Sequence, residues 1–163
     1  MCDQTPALAA LTQAQIRFQT RCYAYETEAV RKGLQAAAAL DLPTESVFKT
    51  LMTWVDSQSC CAIIPSHHQL NLKWLAAALK GRRARLMQAL EAENLTGYQI
   101  GGISPFGQRV KTPLVLDSTA VLSQIIWVNA GQRGLLVALA PYAIIETFGA
   151  QLHQVSEAKA LRP

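Results

Sequence analysis

Long hydrophobic runs are missing. The most apolar stretch, Leu135 to Ile145, is too short to cross about 30 Å of hydrocarbon as a helix, and Pro141 interrupts it, which excludes a membrane-spanning reading. The opening Met1-Cys2-Asp3-Gln4-Thr5-Pro6 has neither a basic n-region nor an apolar h-region, which argues against a signal peptide and for the cytoplasm. Cysteine is scarce: Cys2, Cys22, Cys60 and Cys61 show no C-x-x-C spacing, and an adjacent pair does not easily close a normal disulfide. All four read as reduced thiols, with Cys60 and Cys61 as small buried hydrophobes in an apolar run. The histidines are His67, His68 and His153, with no cysteine or carboxylate at metal-ligand spacing, so no metal site is expected. No nucleotide fingerprint is present either, and no cofactor is called for.

What is present is a globular composition. The 163 residues are 50% hydrophobic and 16% charged, enough to bury a core and too little charge for a disordered chain. That length fits one domain over residues 1–163. A net charge of +4 favours a polyanionic partner, and four of the fifteen Lys and Arg fall within six positions, at Lys80, Arg82, Arg83 and Arg85. The cluster reads either as a contact for nucleic-acid phosphates or as a solvated basic turn. No RNP1-like aromatic motif and no KH-type G-x-x-G in helical context supports base-specific recognition.

Along the chain, Thr5 followed by Pro6 is a helix start. Phe18 to Tyr25 alternates as a strand with Phe18, Thr20 and Cys22 on one buried side. Glu28 to Leu40 is a second helix. Val47 to Val55 and Ser59 to Ile64 form a hairpin across Asp56-Ser57-Gln58. Asn71 caps an amphipathic helix to Lys80, and Leu86 to Leu95 predicts another before Thr96-Gly97. Strands follow at Pro113 to Leu116, Gln124 to Asn129 and Gly134 to Leu139, then a helix from Pro141. Without a strict βαβ rhythm, the order predicts an α+β domain with a mixed, mostly antiparallel sheet surrounded by helices.

Lys49 is the most informative residue, because strand alternation places it on the face of Val47, Leu51 and Val55. A cation there either stabilises negative charge on a reacting carbonyl or phosphate, or packs its stem and extends its ammonium to water. Gly101-Gly102-Ile103-Ser104-Pro105-Phe106-Gly107-Gln108 is either an oxyanion-cradling loop or a structural turn. It matches neither a P-loop, nor G-x-G-x-x-G, nor the G-x-S-x-G elbow. A triad of Ser104, His67 or His68, and Asp117 assembles only on paper.

Val47-Phe48-Lys49-Thr50-Leu51, the segment from Thr96-Gly97-Tyr98 to Gly107, and Gly131-Gln132-Arg133-Gly134-Leu135, in that order, resemble the YbaK/EbsC family of trans-acting aminoacyl-tRNA deacylases. The resemblance runs from about Pro6 to the last helix. It implies a partly barrel-like α+β fold related to the editing domain of bacterial prolyl-tRNA synthetases. It also implies hydrolysis of mischarged tRNA, most typically Cys-tRNA(Pro). Carried over residue by residue, Lys49 is the catalytic residue; Tyr23, Thr50, Gly101, Gly102, Ile103, Ser104, Pro105, Gly131 and Arg133 bind substrate. Lys80, Arg82, Arg83 and Arg85 are set aside for tRNA, and prolyl-tRNA synthetase is a further expected partner. In the Cys-specific branch the substrate's own thiol attacks its carbonyl and expels the tRNA as a thiolactone forms, leaving the protein cysteines as bystanders. Related sequences often carry an acidic residue where Leu136 stands, which leaves the accepted amino acid open between Cys and a small residue such as Ala.

Small amino acids differ in binding by only about 1–3 kcal/mol, so a second sieve is useful to a synthetase. The ester is already activated, and positioning plus charge stabilisation by Lys49 and loop N–H groups suffices without a triad. Two other classes compete: a non-catalytic module that binds aminoacyl-tRNA or prolyl-tRNA synthetase, and a small-molecule hydrolase using Ser104.

Overall fold

The Thr5 hydroxyl accepts the Leu8 N–H, and Pro6 sits at the first helical position, where its missing N–H costs nothing. Helix α1 (Pro6–Gln13) begins there and buries Ala7, Leu8 and Leu11. A computed structural model describes residues 4–28 and 32–159.

Strand β1 (Gln19–Cys22) forms, but all four of its residues are exposed. It pairs only with β8 (Leu135–Leu139) at a sheet edge, so the expected buried face of Phe18, Thr20 and Cys22 is limited to a half-buried Phe18. Cys22 is disulfide-bonded, which corrects the reading of four reduced thiols. Cys60 and Cys61 are free and buried, as expected. Helix α2 (Lys32–Ala39) lies within the predicted Glu28 to Leu40; positions 29–31 of that range are outside the described residues.

Strands β2 (Phe48–Val55) and β3 (Gln58–Pro65) form the expected hairpin, with Asp56 at φ +52° in its two-residue turn. Along β3, alternation sends Cys61 and Ile63 into the main core and Cys60, Ala62 and Ile64 into a second cluster against Leu75 and Val155. A three-residue strand β4 (His68–Leu70) leads to α3 (Leu72–Ala78), capped as expected by the Asn71 side chain. The helix predicted from Leu86 starts later. Ala84–Leu86 is strand β5, drawn into pairing with β2, and α4 spans Ala89–Thr96 before Gly97 at φ +80°. Strands β6 (Leu114–Asp117), β7 (Ile126–Asn129) and β8 and helix α5 (Pro141–Phe148) match expectation; β9 (Gln151–His153) and β10 (Ser156–Ala158) follow.

The larger sheet has the order β5-β2-β3-β6-β9, antiparallel through β3 and parallel beyond it; β1-β8-β7 and β10-β4 are antiparallel. The α+β class with a mixed, mostly antiparallel sheet is therefore correct. The sheets stay open: the two larger ones meet through a single parallel bridge between Val47 and Trp127. Lys49 stands two residues from that junction. No helix among the described residues is long and apolar enough to cross a membrane.

Candidate functional site

The junction of the two sheets leaves a cavity of about 430 Å³ between the start of β2, the Gly101 loop and β7–β8. Lys49 lines it, half-buried, and its Nζ donates to the His68 carbonyl at 2.7 Å. The His68 ring is in turn fastened, with Nδ1 2.9 Å from Ser156 Oγ, and the Ser156 N–H donates to the fully buried Asp117 carboxylate at 3.0 Å. Asp117 also accepts the Val155 and Thr119 N–H groups, so it is an anchor for β10. Burial, aided by neighbouring His67 and by Lys49, lowers the His68 pKa from its usual value and favours the neutral ring.

Of the predicted substrate-binding residues, Tyr23, Thr50, Gly101 and Ile103 line the cavity with Lys49, while Gly102, Ser104, Pro105, Gly131 and Arg133 are not part of its wall. Ser104 is fully buried and its Oγ accepts the Phe106 N–H, so its hydroxyl shapes the loop. The paper triad does not assemble, because Asp117 is filled by backbone donors and His68 is bonded to Ser156. The Gly102 N–H donates to Gln99 O and is occupied in the turn. A Cβ on Gly102 would lie 2.9 Å from Arg133 N, so glycine there allows the loop to close on the Gln132-Arg133 turn. Asn129 ties the two together: its Nδ2 donates to Gly101 O and Gln132 O, both at 3.2 Å, and its Oδ1 accepts the Gly131 N–H at 2.7 Å. Arg133 completes the clamp through Nε to Ile100 O at 2.8 Å, with its guanidinium 5.3 Å from the Tyr25 ring centroid. Burial raises the Tyr23 pKa, with a smaller contribution from Tyr25, so the phenol stays protonated.

Sequence reasoning missed Ser66, Asn129 and Lys159, all of which line the cavity. Asn129 carried a usable signal, an Asx turn onto Gly131. Ser66 carried none; its Oγ, like Thr50 Oγ1, is buried without a hydrogen-bond partner among the described residues. Most of the remaining wall is apolar, including Phe48, Met52, Met87 and Leu136, and among the described residues no carboxylate lines it. Cys60 and Cys61 are not in the wall, and burial pushes both thiols up, Cys60 to about 11.

The basic segment lies elsewhere. Arg85 and Ala84 pair with Trp54 and Val55 at the far end of β2, six residues from Lys49, or roughly 20 Å at the rise of a strand. Arg85 holds Glu91 at 3.1 and 3.2 Å, and the Arg82 and Arg83 N–H groups donate to Asp56. Lys80 is on a separate open depression with Trp74 and His153.

The model of the aminoacyl-tRNA editing domain family matches residues 27–147. The candidate Cys-tRNA(Pro)/Cys-tRNA(Cys) deacylase EbsC of Enterococcus faecalis is 29% identical over 155 residues, covering 94% of each chain. A proline–tRNA ligase of Acidithiobacillus ferrooxidans is 25% identical over 95 residues, 58% of this chain and 17% of the ligase. Among solved structures, the hypothetical protein APE2540 superposes with a TM-score of 0.84 at 23% identity, covering 94% of this chain and 100% of that one. A candidate trans-editing enzyme for prolyl-tRNA synthetase gives 0.79 at 20% identity, covering 96% and 100%. These two likenesses show the fold.

Proposed function

Because this chain belongs to the aminoacyl-tRNA editing domain family, we propose that it is a trans-editing hydrolase that removes the amino acid from mischarged tRNA, with Cys-tRNA(Pro) as its first substrate. The observation that carries this reading is the Lys49 ammonium, held by the His68 carbonyl at the wall of a mostly apolar cavity with no carboxylate among its described lining residues. With the ester carbonyl against Lys49, negative charge developing on its oxygen meets a preorganised cation in a partly dry site. The Thr50 and Ser66 hydroxyls offer hydrogen-bonding capacity beside it for the polar groups of the aminoacyl ester. The apolar wall takes a small uncharged side chain.

For a cysteinyl ester, the substrate sulfur attacks its own carbonyl carbon. The C–S bond forms, the C–O bond to the ribose breaks, and the thiol proton ends on the released ribose oxygen. Other esters require water in place of the thiol. The domain acts on tRNA(Pro) in the cytoplasm, and docking on prolyl-tRNA synthetase is part of the proposal; the name carried by the EbsC relative supports the tRNA and amino acid.

The test is amino-acid release from Cys-tRNA(Pro), Ala-tRNA(Pro) and Pro-tRNA(Pro) by the protein and by Lys49→Ala, with EDTA present. Release of Cys but not Pro, lost in the variant, is the expected result. Release of Ala in place of Cys would reassign the substrate. No release from any of the three, with tRNA still bound, would replace the enzyme by a binding module.

A further inference from the structure

We propose that Lys159 forms a phosphate subsite at the mouth of the cavity, contacting the phosphodiester next to the terminal nucleoside of the tRNA acceptor end. This deepens the deacylase reading and rests on it for the orientation of the nucleic acid.

Three observations converge. Among the described residues, the ionisable side chains lining the cavity are Tyr23, Lys49 and Lys159, so two ammonium groups share one wall. Lys49 is drawn to the His68 carbonyl at 2.7 Å. Lys159 is exposed and forms no ion pair among the described residues. The pairing register explains its position: β10 runs antiparallel to β4 with Ala158 opposite His68, so the next residue emerges beside the strand that anchors Lys49. An ester seated at Lys49 leaves its ribose pointing outward, and the first phosphate met on leaving the cavity is one nucleotide away. The basic segment is set apart from that phosphate: Arg85 lies at the far end of β2 and pairs with Glu91, and Lys80 faces a different depression. An exposed lysine at a cavity mouth acts as a point charge toward phosphate, indifferent to base identity. The subsite therefore adds affinity and orientation for any tRNA end.

The experiment separates this subsite from turnover. Binding of an uncharged CCA-ended oligonucleotide is measured by fluorescence anisotropy for the wild type, Lys159→Ala, Lys159→Glu and, as a control exposed lysine outside the cavity, Lys111→Ala. Competition by adenosine, which carries no phosphate, is measured in parallel. Lys159→Ala is expected to weaken oligonucleotide binding about fivefold and Lys159→Glu more, with adenosine and Lys111→Ala unchanged. The slope of log affinity against log salt should become shallower by about 0.7, the value for one phosphate contact on a single strand. An unchanged oligonucleotide affinity, or equal losses for adenosine and oligonucleotide, would overturn the proposal. Turnover of aminoacyl-tRNA by the same proteins reads the deacylase reaction separately: absence of release by the wild type sinks that reading, while the anisotropy result still decides whether Lys159 holds phosphate.

Discussion

The two ends of strand β2 make an instructive pair. At its start Lys49 lines a cavity with no carboxylate among the described lining residues, and its ammonium donates to the His68 carbonyl. At its far end, beside Trp54 and Val55, lies the denser basic segment, where the Arg85 guanidinium pairs with Glu91 and the Arg82 and Arg83 backbone N–H groups donate to Asp56. Charge density along a sequence and the surroundings of one charge in space are different quantities. A lone lysine among apolar neighbours can mark a site more sharply than four cations in six residues, because the environment determines how strongly a charge acts.

The largest expected contrast is kinetic. Lys49→Ala should lower kcat by about 10²–10³-fold, the usual cost of losing one donor to a developing oxyanion, with far-UV circular dichroism unchanged. Arg85→Ala should leave kcat within a few-fold of wild type; an equal collapse in both variants would erase the distinction between the two ends. Next comes Gly102→Ala. Its new methyl group meets backbone at Arg133 N, so chemical denaturation should show a loss of about 1–3 kcal/mol together with reduced turnover. Ser66→Ala sharpens the contrast from the opposite direction. Removing a buried hydroxyl that lacks a partner should leave stability within about 1 kcal/mol or raise it, while kcat/KM falls. A stable variant with full activity would remove Ser66 from the site.

The smallest effect belongs to the far end. Arg85, first by its hydrogen bond, and the Gln88 N–H hold the Glu91 carboxyl down to about 2. A depressed carboxylate pKa contributes stability above the unfolded value of 4.5 that is lost as pH falls toward 2. Since the pair is exposed, Arg85→Ala should only slightly flatten the decline in Tm between pH 5 and 3.

Much of this was readable from local chemistry. Thr5-Pro6, Asn71 and the Asp56-Ser57 turn each carry their own instruction, and the elements they start or join form where expected. The misreadings share one cause, pairing between distant segments. Ala84–Leu86 has helical neighbours in sequence, yet pairing with β2 makes it a strand. Thr20 and Cys22 alternate correctly but lie on an edge strand exposed along its length. Strands β4 and β10 are three residues each, too short for periodicity, and are joined across 86 to 90 positions by the pairing of Leu70 with Ser156 and of His68 with Ala158. At the site, Lys49, Tyr23, Thr50, Gly101 and Ile103 were recognisable. Ser66 and Lys159 were not, because only the folded chain brings them to the cavity. Gly102 and Arg133, expected to bind substrate, sit instead where the two loops are clamped together.

The fastening of β4 by β10 has a consequence for synthesis. The carbonyl that holds Lys49 belongs to a strand whose partner, Ser156–Ala158, is translated nearly ninety positions later. A nascent chain still lacking that partner on the ribosome has its hairpin and its lysine but not the lock that orients them. The hold of the His68 carbonyl on Lys49 is thereby completed only after translation has passed this strand.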